Sequence, residues 1–456
     1  MKKKLLSVVL ATSMIASILA GCGGSQAAAP AAEAAPAATE AAADEAAPAD
    51  EAAPAAEGGK TLTVAAWDKG FNIPALEAAA ADYKANVDPD FELTIVEQAQ
   101  SSDVENAITL AGSSGDYSAL QDIVLFQDHY IQRYVNDYPD AWVSIDDAGV
   151  NWDNVGAEKQ SYSTIDGVHY GFPVDNGTAI FAYRTDCLEE AGYTMDDVTG
   201  CSWEEFIEIG KAVYDKTGKY LLCMDGDGND LFYLMMQAEG ESQWKDGMPN
   251  ITGNAKLVEI FNLLVEMAQN NVLYLANDWS DYTDQAITGD MVAGVCNGNW
   301  IIPTIKNVPE NSGKWEITSM PTIAGGEGYA ANGGSSLYIT ANCKNPQLAK
   351  DFLAYTFGNG STATYDDALR NGGVIACVST AATSDVYNEG VEYFNNQAIY
   401  AKIVEMGSHV PVIEQNDFHY SLRSYLAAAL INTINGADAE TELQNAEDQI
   451  KFEMGF

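Results

Sequence analysis

Short apolar runs of β type alternate with amphipathic helical segments along most of this chain, an order that argues for layered α/β architecture with largely parallel sheets. The runs fall at 62–67, 91–96, 122–126, 179–183, 220–224, 292–296 and 336–340. Helix ends are marked between them. Ser202-Trp203-Glu204-Glu205 is a capping box whose serine hydroxyl and Glu205 carboxylate satisfy free N–H groups, with Phe206, Ile209 and Val213 following on one face. Asn345-Pro346 opens another helix, which carries Leu348, Phe352 and Phe357 and stops at Gly358. Leu257, Ile260, Phe261, Leu264 and Val265 mark a third, and Leu422, Leu426, Leu430 and Ile434 a fourth that ends before Gly436. These stripes read as core, and a sandwich or a helical bundle is excluded by their order.

At 456 residues the chain is too long for one compact core, and 22 Lys and Arg against 66 Asp and Glu leave a net charge of −44. Nucleic acid is thereby excluded as a partner, since phosphate recognition needs a basic footprint. The acidity belongs to the folding part: residues 60–456 hold 19 basic and 59 acidic side chains, net −40.

The first 59 residues read differently. Lys2, Lys3 and Lys4 precede an uncharged stretch of 16 residues at 5–20, too short to span a bilayer but suited to a signal peptide. It ends in Leu19-Ala20-Gly21-Cys22, which resembles a bacterial lipobox; residues 1–21 are then a signal peptide and Cys22 the lipidated residue, against the plainer reading of a secretory signal with a chance cysteine. Residues 26–57 comprise 19 Ala, four Pro, seven acidic residues, one Thr and one Gln, too little apolar surface to offset ordering entropy. Residues 22–59 are expected to be a tether holding the protein at the outer face of a cell membrane.

Catalytic signatures are scarce. No GxSxG, HExxH, phosphate-binding loop or GxGxxG occurs, and His129, His169, His409 and His419 are scattered. Asp225-Gly226-Asp227-Gly228-Asn229-Asp230 begins like a calcium loop, but Asp230 replaces the glycine at the sixth position and Met236 the glutamate at the twelfth, so no metal is expected. Beyond Cys22, Cys187 and Cys201 flank a short connection and could pair, while Cys223, Cys296 and Cys343 read as buried thiols and Cys377 completes the set.

The order of segments carries a resemblance. Val64-Ala65-Ala66-Trp67-Asp68-Lys69-Gly70-Phe71 follows the first strand, and Asp122-Ile123-Val124-Leu125-Phe126-Gln127-Asp128 forms the third. Asp166-Gly167-Val168-His169-Tyr170-Gly171-Phe172-Pro173-Val174-Asp175 leads to Tyr183-Arg184-Thr185-Asp186, then come Gly294-Val295-Cys296-Asn297-Gly298-Asn299-Trp300 and Asn332-Gly333-Gly334-Ser335-Ser336. From about residue 60 to the end this resembles the extracellular solute-binding proteins of ABC importers, in particular the sugar-binding family that includes maltose-binding protein.

The resemblance implies a two-lobed α/β fold of the type II periplasmic-binding kind, its lobes joined by crossover hinge segments and closing on a ligand between them. It assigns residues 60–175 and 332–372 to the first lobe, and 176–331 and 373–456 to the second. It further implies a carbohydrate ligand, an ABC permease as partner, no enzymatic activity, no cofactor and a monomer. A sugar ring has apolar C–H faces and a rim of hydroxyls, so its site calls for flat aromatics beside fixed polar groups. Trp300 falls where the family places a stacking Trp, and Trp67 and Phe126 are expected at strand ends facing the cleft. Asp68, Gln127, Asp128, Asp175, Asn176, Asp227, Asn229, Asp230 and Ser335 are directed into the same cleft, and Lys69 matches a basic cleft residue of maltose-binding members. His419 stands where such a member has a stacking aromatic, which weakens the likeness to a maltodextrin site. Two other readings stay open: a receptor for a cation such as a polyamine, held by Asp68, Asp128, Asp175, Asp227 and Asp230, and an exported glycoside hydrolase using a carboxylate pair.

Overall fold

The computed structural model describes residues 59–225 and 230–456; the signal segment, Cys22 and the tether up to residue 58 lie outside the described residues, as do Asp227 and Asn229. In chain order the strands that build the site are β1 (Thr61–Ala66), β2 (Glu92–Glu97), β3 (Ile123–Gln127), β4 (Gly171–Asp175), β5 (Ala179–Arg184), β6 (Leu222–Asp225), β7 (Leu273–Ala276), β8 (Gly294–Gly298), β9 (Trp315–Thr318) and β10 (Ser335–Ile339). They form two sheets on one plan. The first has the order β2-β1-β3-β10-β4, with β1 parallel to β2 and β3 and with β10 antiparallel to both its neighbours. In the second, β5 lies antiparallel between β8 and β9, and the parallel pair β7-β6 joins β8 through a Tyr220–Val292 bridge. Its order is therefore β7-β6-β8-β5-β9, the same first-to-fourth arrangement with one inserted antiparallel strand.

Each of the seven runs expected from sequence overlaps one of these strands, whereas β4, β7 and β9 carry no such signal. The reason is plainest for β4, an edge strand holding Pro173: a proline lacks the N–H for a ladder bond and survives only where one side of the strand is unpaired.

Helices cover the sheets: α1 (Asn72–Asn86), α2 (Ser101–Ser114), α3 (Asp128–Asp137), α4 (Ala157–Ser163), α5 (Trp203–Thr217), α6 (Asp230–Ala238), α7 (Ala255–Gln269), α8 (Pro346–Leu353), α9 (Thr362–Gly372), α10 (Ile399–Gly407), α11 (His419–Ile434) and α12 (Ala439–Glu453). The capping box forms as expected, with Glu205 N donating to Ser202 Oγ at 3.2 Å and Ser202 N to Glu205 Oε2 at 2.9 Å. α8 runs on into a π-helical turn, Ala354–Gly358, so the segment from Pro346 ends at the expected glycine. The predicted stripes are buried: Leu257, Ile260, Phe261 and Leu264 of α7 share one cluster with Leu422, Leu426 and Leu430 of α11.

The chain passes between the sheets at 176–178, after β4, and again at 319–334, between β9 and β10. These two passages run side by side: Thr178 pairs with Ala331, Ala179 N donates to Ala330 O at 2.8 Å, and Asn332 N to Gly177 O at 2.9 Å. Cys187 and Cys201, which sequence allowed to pair, are separate buried thiols, and burial pushes them up to about 11 and about 12.

Candidate functional site

In each sheet the strand order reverses between the first and third strands, and their carboxyl ends leave a crevice where ligands of open α/β sheets bind. The two crevices face one another. β1 delivers Trp67 and Asp68, β3 delivers Gln127, β8 leads to Trp300, and Asp230 opens the helix that follows β6. Together with Asp175 and Ser335 at the passages between sheets, they line a cavity of about 670 Å³, within the range of small-molecule sites.

Trp300 is held by its edge. Its Nε1 donates to Asn332 O at 2.8 Å, which fixes the indole plane and leaves a face to the cavity. Gly298 and Gly333 make the room: a Cβ at 298 would lie 2.3 Å from Trp300 Nε1, and one at 333, where φ is +75°, 3.1 Å from the same atom. Trp279 stands 5.7 Å from Trp300, ring centre to ring centre, is stacked on Tyr282 at 5.2 Å, and is 46% exposed at the cavity mouth. Also lining the cavity, Tyr130 of α3 and Tyr420 of α11 stack face to face at 3.7 Å.

Polar groups between these rings are pre-set by their neighbours. Gln127 Nε2 donates to Ser101 Oγ at 3.1 Å, while its Oε1 accepts from the Tyr420 hydroxyl at 3.3 Å. Asp230 is ion-paired with the buried Arg423, whose guanidinium lies over Tyr420 (5.0 Å) and Tyr233 (5.6 Å). Asn297 Nδ2 reaches Asp230 Oδ2 at 3.4 Å, and Asn332 Nδ2 donates to Asn297 Oδ1 at 2.7 Å. Burial pushes the Asp175 carboxyl up to about 6 against the pull of Lys159, and pushes Glu105, also on the wall, upward against a Ser101 hydrogen bond.

Of the residues expected in the cleft, Trp67, Asp68, Gln127, Asp175, Asp230, Trp300 and Ser335 meet at this one cavity. Five others lie away from its wall. Phe126 turns to the opposite face of its strand, 1% exposed among Tyr134, Trp142 and Tyr338, because neighbouring residues of a strand point to opposite sides. Asp128 is buried behind the wall in an ion pair with Lys159. Asn176 sits on the first passage with its Oδ1 buried and unpaired. Lys69 points outward, 76% exposed and paired with Glu97 at 2.9 Å. His419 is 2% exposed and stacked on His129 at 4.9 Å, where burial lowers it to about 3.

Sequence reasoning passes over Tyr130, Trp279, Asn332, Tyr420 and Arg423. Asn332 lay within a recognised segment, and Tyr420 and Arg423 lie three apart on the helix whose apolar stripe is Leu422, Leu426 and Leu430, so a second face of α11 was readable. Among the described residues no group of His, Cys, Asp and Glu is arranged to hold a metal ion.

Comparison with known proteins agrees with this architecture. The family model described as bacterial extracellular solute-binding protein matches residues 78–395. The chain belongs to that family. A lactose-binding protein of Rhizobium radiobacter is 31% identical over 393 residues, covering 85% of this chain and 92% of the relative. An arabinooligosaccharide-binding protein of Halalkalibacterium halodurans is 26% identical over 42% of this chain and 44% of its own. Among solved structures, an ABC transporter associated binding protein from B. animalis subsp. lactis in complex with β-1,6-galactobiose superposes with a TM-score of 0.70 at 20% identity, over 88% of this chain and 99% of that one. The two-lobed fold expected from the resemblance is thus the fold of the family. This solute-binding protein is extracytoplasmic and belongs to a class that binds its solute without transforming it.

Proposed function

We propose that this solute-binding protein captures a neutral di- or oligosaccharide in the cleft and hands it to an ABC permease. The observation that carries the reading is the wall itself: Trp67, Trp279 and Trp300 offer flat apolar faces beside Asp68, Gln127 and the Asp230–Arg423 pair, the combination that a ring with C–H faces and equatorial hydroxyls requires. The relatives named for lactose and arabinooligosaccharide support the class of ligand, and the lactose-binding one spans nearly the whole chain.

A cationic solute is less well served. Asp230 is already neutralised by Arg423 and Asp128 by Lys159, which removes two of the carboxylates that a polyamine would use. The lobes are assigned to residues 60–175 with 332–372 and 176–331 with 373–456, closing about the passages at 176–178 and 319–334 as sugar fills the cleft. Cys22 carries the lipid anchor, residues 22–59 form the tether, and the receptor acts as a monomer.

Intrinsic fluorescence provides the test, because three tryptophans line the cleft. Titration of the full chain with lactose, galactobiose and arabinooligosaccharides is expected to give a saturable change with one of them and none with spermidine. A saturable response to spermidine alone would reject the sugar reading. Cys22→Ser should move the protein from membranes to the soluble fraction; persistence on membranes would reject the anchor.

A further inference from the structure

Behind the cleft wall lies a lysine that does not reach the cavity. Lys159 of α4 is 2% exposed and spends all three ammonium hydrogens on one small region. It pairs with Asp128, and donates to Asp175 O at 2.7 Å and to Ser335 O at 2.8 Å. Those two carbonyls belong to the last residue of β4 and the first of β10, the points at which both passages join the first sheet.

The surroundings are equally determined. Asp128 Oδ1 accepts from Ser336 Oγ at 2.9 Å, Asp128 N donates to Gly334 O at 3.1 Å, and Ser335 N donates to Asp175 Oδ1 at 3.0 Å. The β4–β10 register slips here, Ser335 facing Asp175 and Ser336 facing Pro173, so Val174 is an extra residue; its carbonyl accepts from Tyr365 of α9 at 3.0 Å. Immediately past this knot the backbone changes character: Gly177, Gly333 and Gly334 have φ of +62°, +75° and +82°. A Cβ at 334 would lie 2.6 Å from Asp128 Oδ2, so the knot also dictates glycine there.

We infer that Lys159 is a positioning residue for ligand capture: it clamps Asp175 and Ser335 at the fixed end of both passages, so that bending is confined to Gly177 and Gly333–Gly334 while the two clamped residues keep their place on the cavity wall. Lys159 itself does not reach the cavity, so its effect on binding passes through Asp175 and Ser335. Its burial beside Asp128 also explains why an ammonium can stay charged there, since each ion is the other's compensation.

The inference rests on the reading of the cleft as a sugar site, and the experiment separates the two. Lys159→Met/Asp128→Asn removes both members of the ion pair together, so neither is left buried without its partner. In the full chain, hydrogen exchange at the Asn332 and Ser335 amides should quicken at least tenfold with β1–β3 amides unchanged, and lactose Kd should rise at least tenfold while unfolding stays cooperative. Lys159→Met alone should show the same local exchange with a lower Tm. Unchanged exchange at Asn332 and Ser335, or exchange that quickens equally throughout the sheet, would overturn the positioning role. If the wild-type chain binds no sugar, the sugar reading falls and the exchange arm still decides the clamp.

Discussion

The Arg423–Asp230 pair connects stability with recognition, and the two can be measured apart. Arg423 is 1% exposed on its side chain and Asp230 12%, so the pair sits at the inner wall of the cavity with one rim open to solvent. Arg423→Met leaves the Asp230 carboxylate without its cation in a mostly dry place, a loss of about 3–5 kcal/mol for a buried pair. The open rim on Asp230 favours the lower end, about 3 kcal/mol, which for a folded body of about 400 residues is a fall in Tm of about 4 °C. Adding Asp230→Leu should recover most of that loss, because replacing both members with apolar groups removes the desolvation cost of both ions. Sugar binding should not recover, since both side chains line the cavity and both hydrogen-bonding partners are gone. Calorimetric unfolding and sugar titration on the two single variants and the double complete the cycle. A double variant no more stable than Arg423→Met would refute the coupling, and a double variant with wild-type sugar affinity would refute the role of the pair in the cleft.

Other outcomes follow from individual contacts. Trp300→Ala removes about 60 Å² of apolar contact with a stacked ring, worth about 1.5 kcal/mol and about a tenfold rise in Kd, whereas an unaltered Kd would place the ligand elsewhere. Gly298→Ala puts a methyl group against the Trp300 edge and the Asn332 carbonyl, so affinity should fall with a stability loss of about 1–3 kcal/mol, both readable from one thermal-shift series with and without sugar. Folding holds His419 neutral down to about pH 3, while the unfolded chain takes up that proton below about 6.5. Acidification from 6.5 therefore destabilises the wild type through this group by about 1.4 kcal/mol per pH unit, and His419→Phe should gain on it by that slope between pH 6.5 and 5. A pH-independent difference between the two proteins would show that His419 is protonated in the fold.

Legibility of the fold in the sequence depends on the range of the signal. Apolar runs long enough to be buried on both faces, such as those of β1, β3 and β10, were legible because every residue obeys one rule. β4 was not, since its five residues include a proline whose tolerance depends on being at a sheet edge. Trp67, Gln127 and Trp300 were directed to the cleft by the family resemblance, and they line the cavity from the ends of strands. Phe126 was misdirected by a single step in strand alternation, and Asp128 by a partner, Lys159, 31 residues away. Arg423 meets Asp230 from a helix nearly 200 residues further along the chain, and Tyr420 of the same helix meets Gln127 across 293 residues. No local pattern encodes such a meeting.

Isothermal titration of the full chain with lactose and related neutral oligosaccharides, set beside spermidine at low and high salt, decides between a sugar and a cation as the solute. One sugar should bind with a micromolar Kd, about −8 kcal/mol, changed by less than about twofold between salts because no net charge is transferred. Steeply salt-dependent binding of spermidine with no heat from any sugar would contradict it.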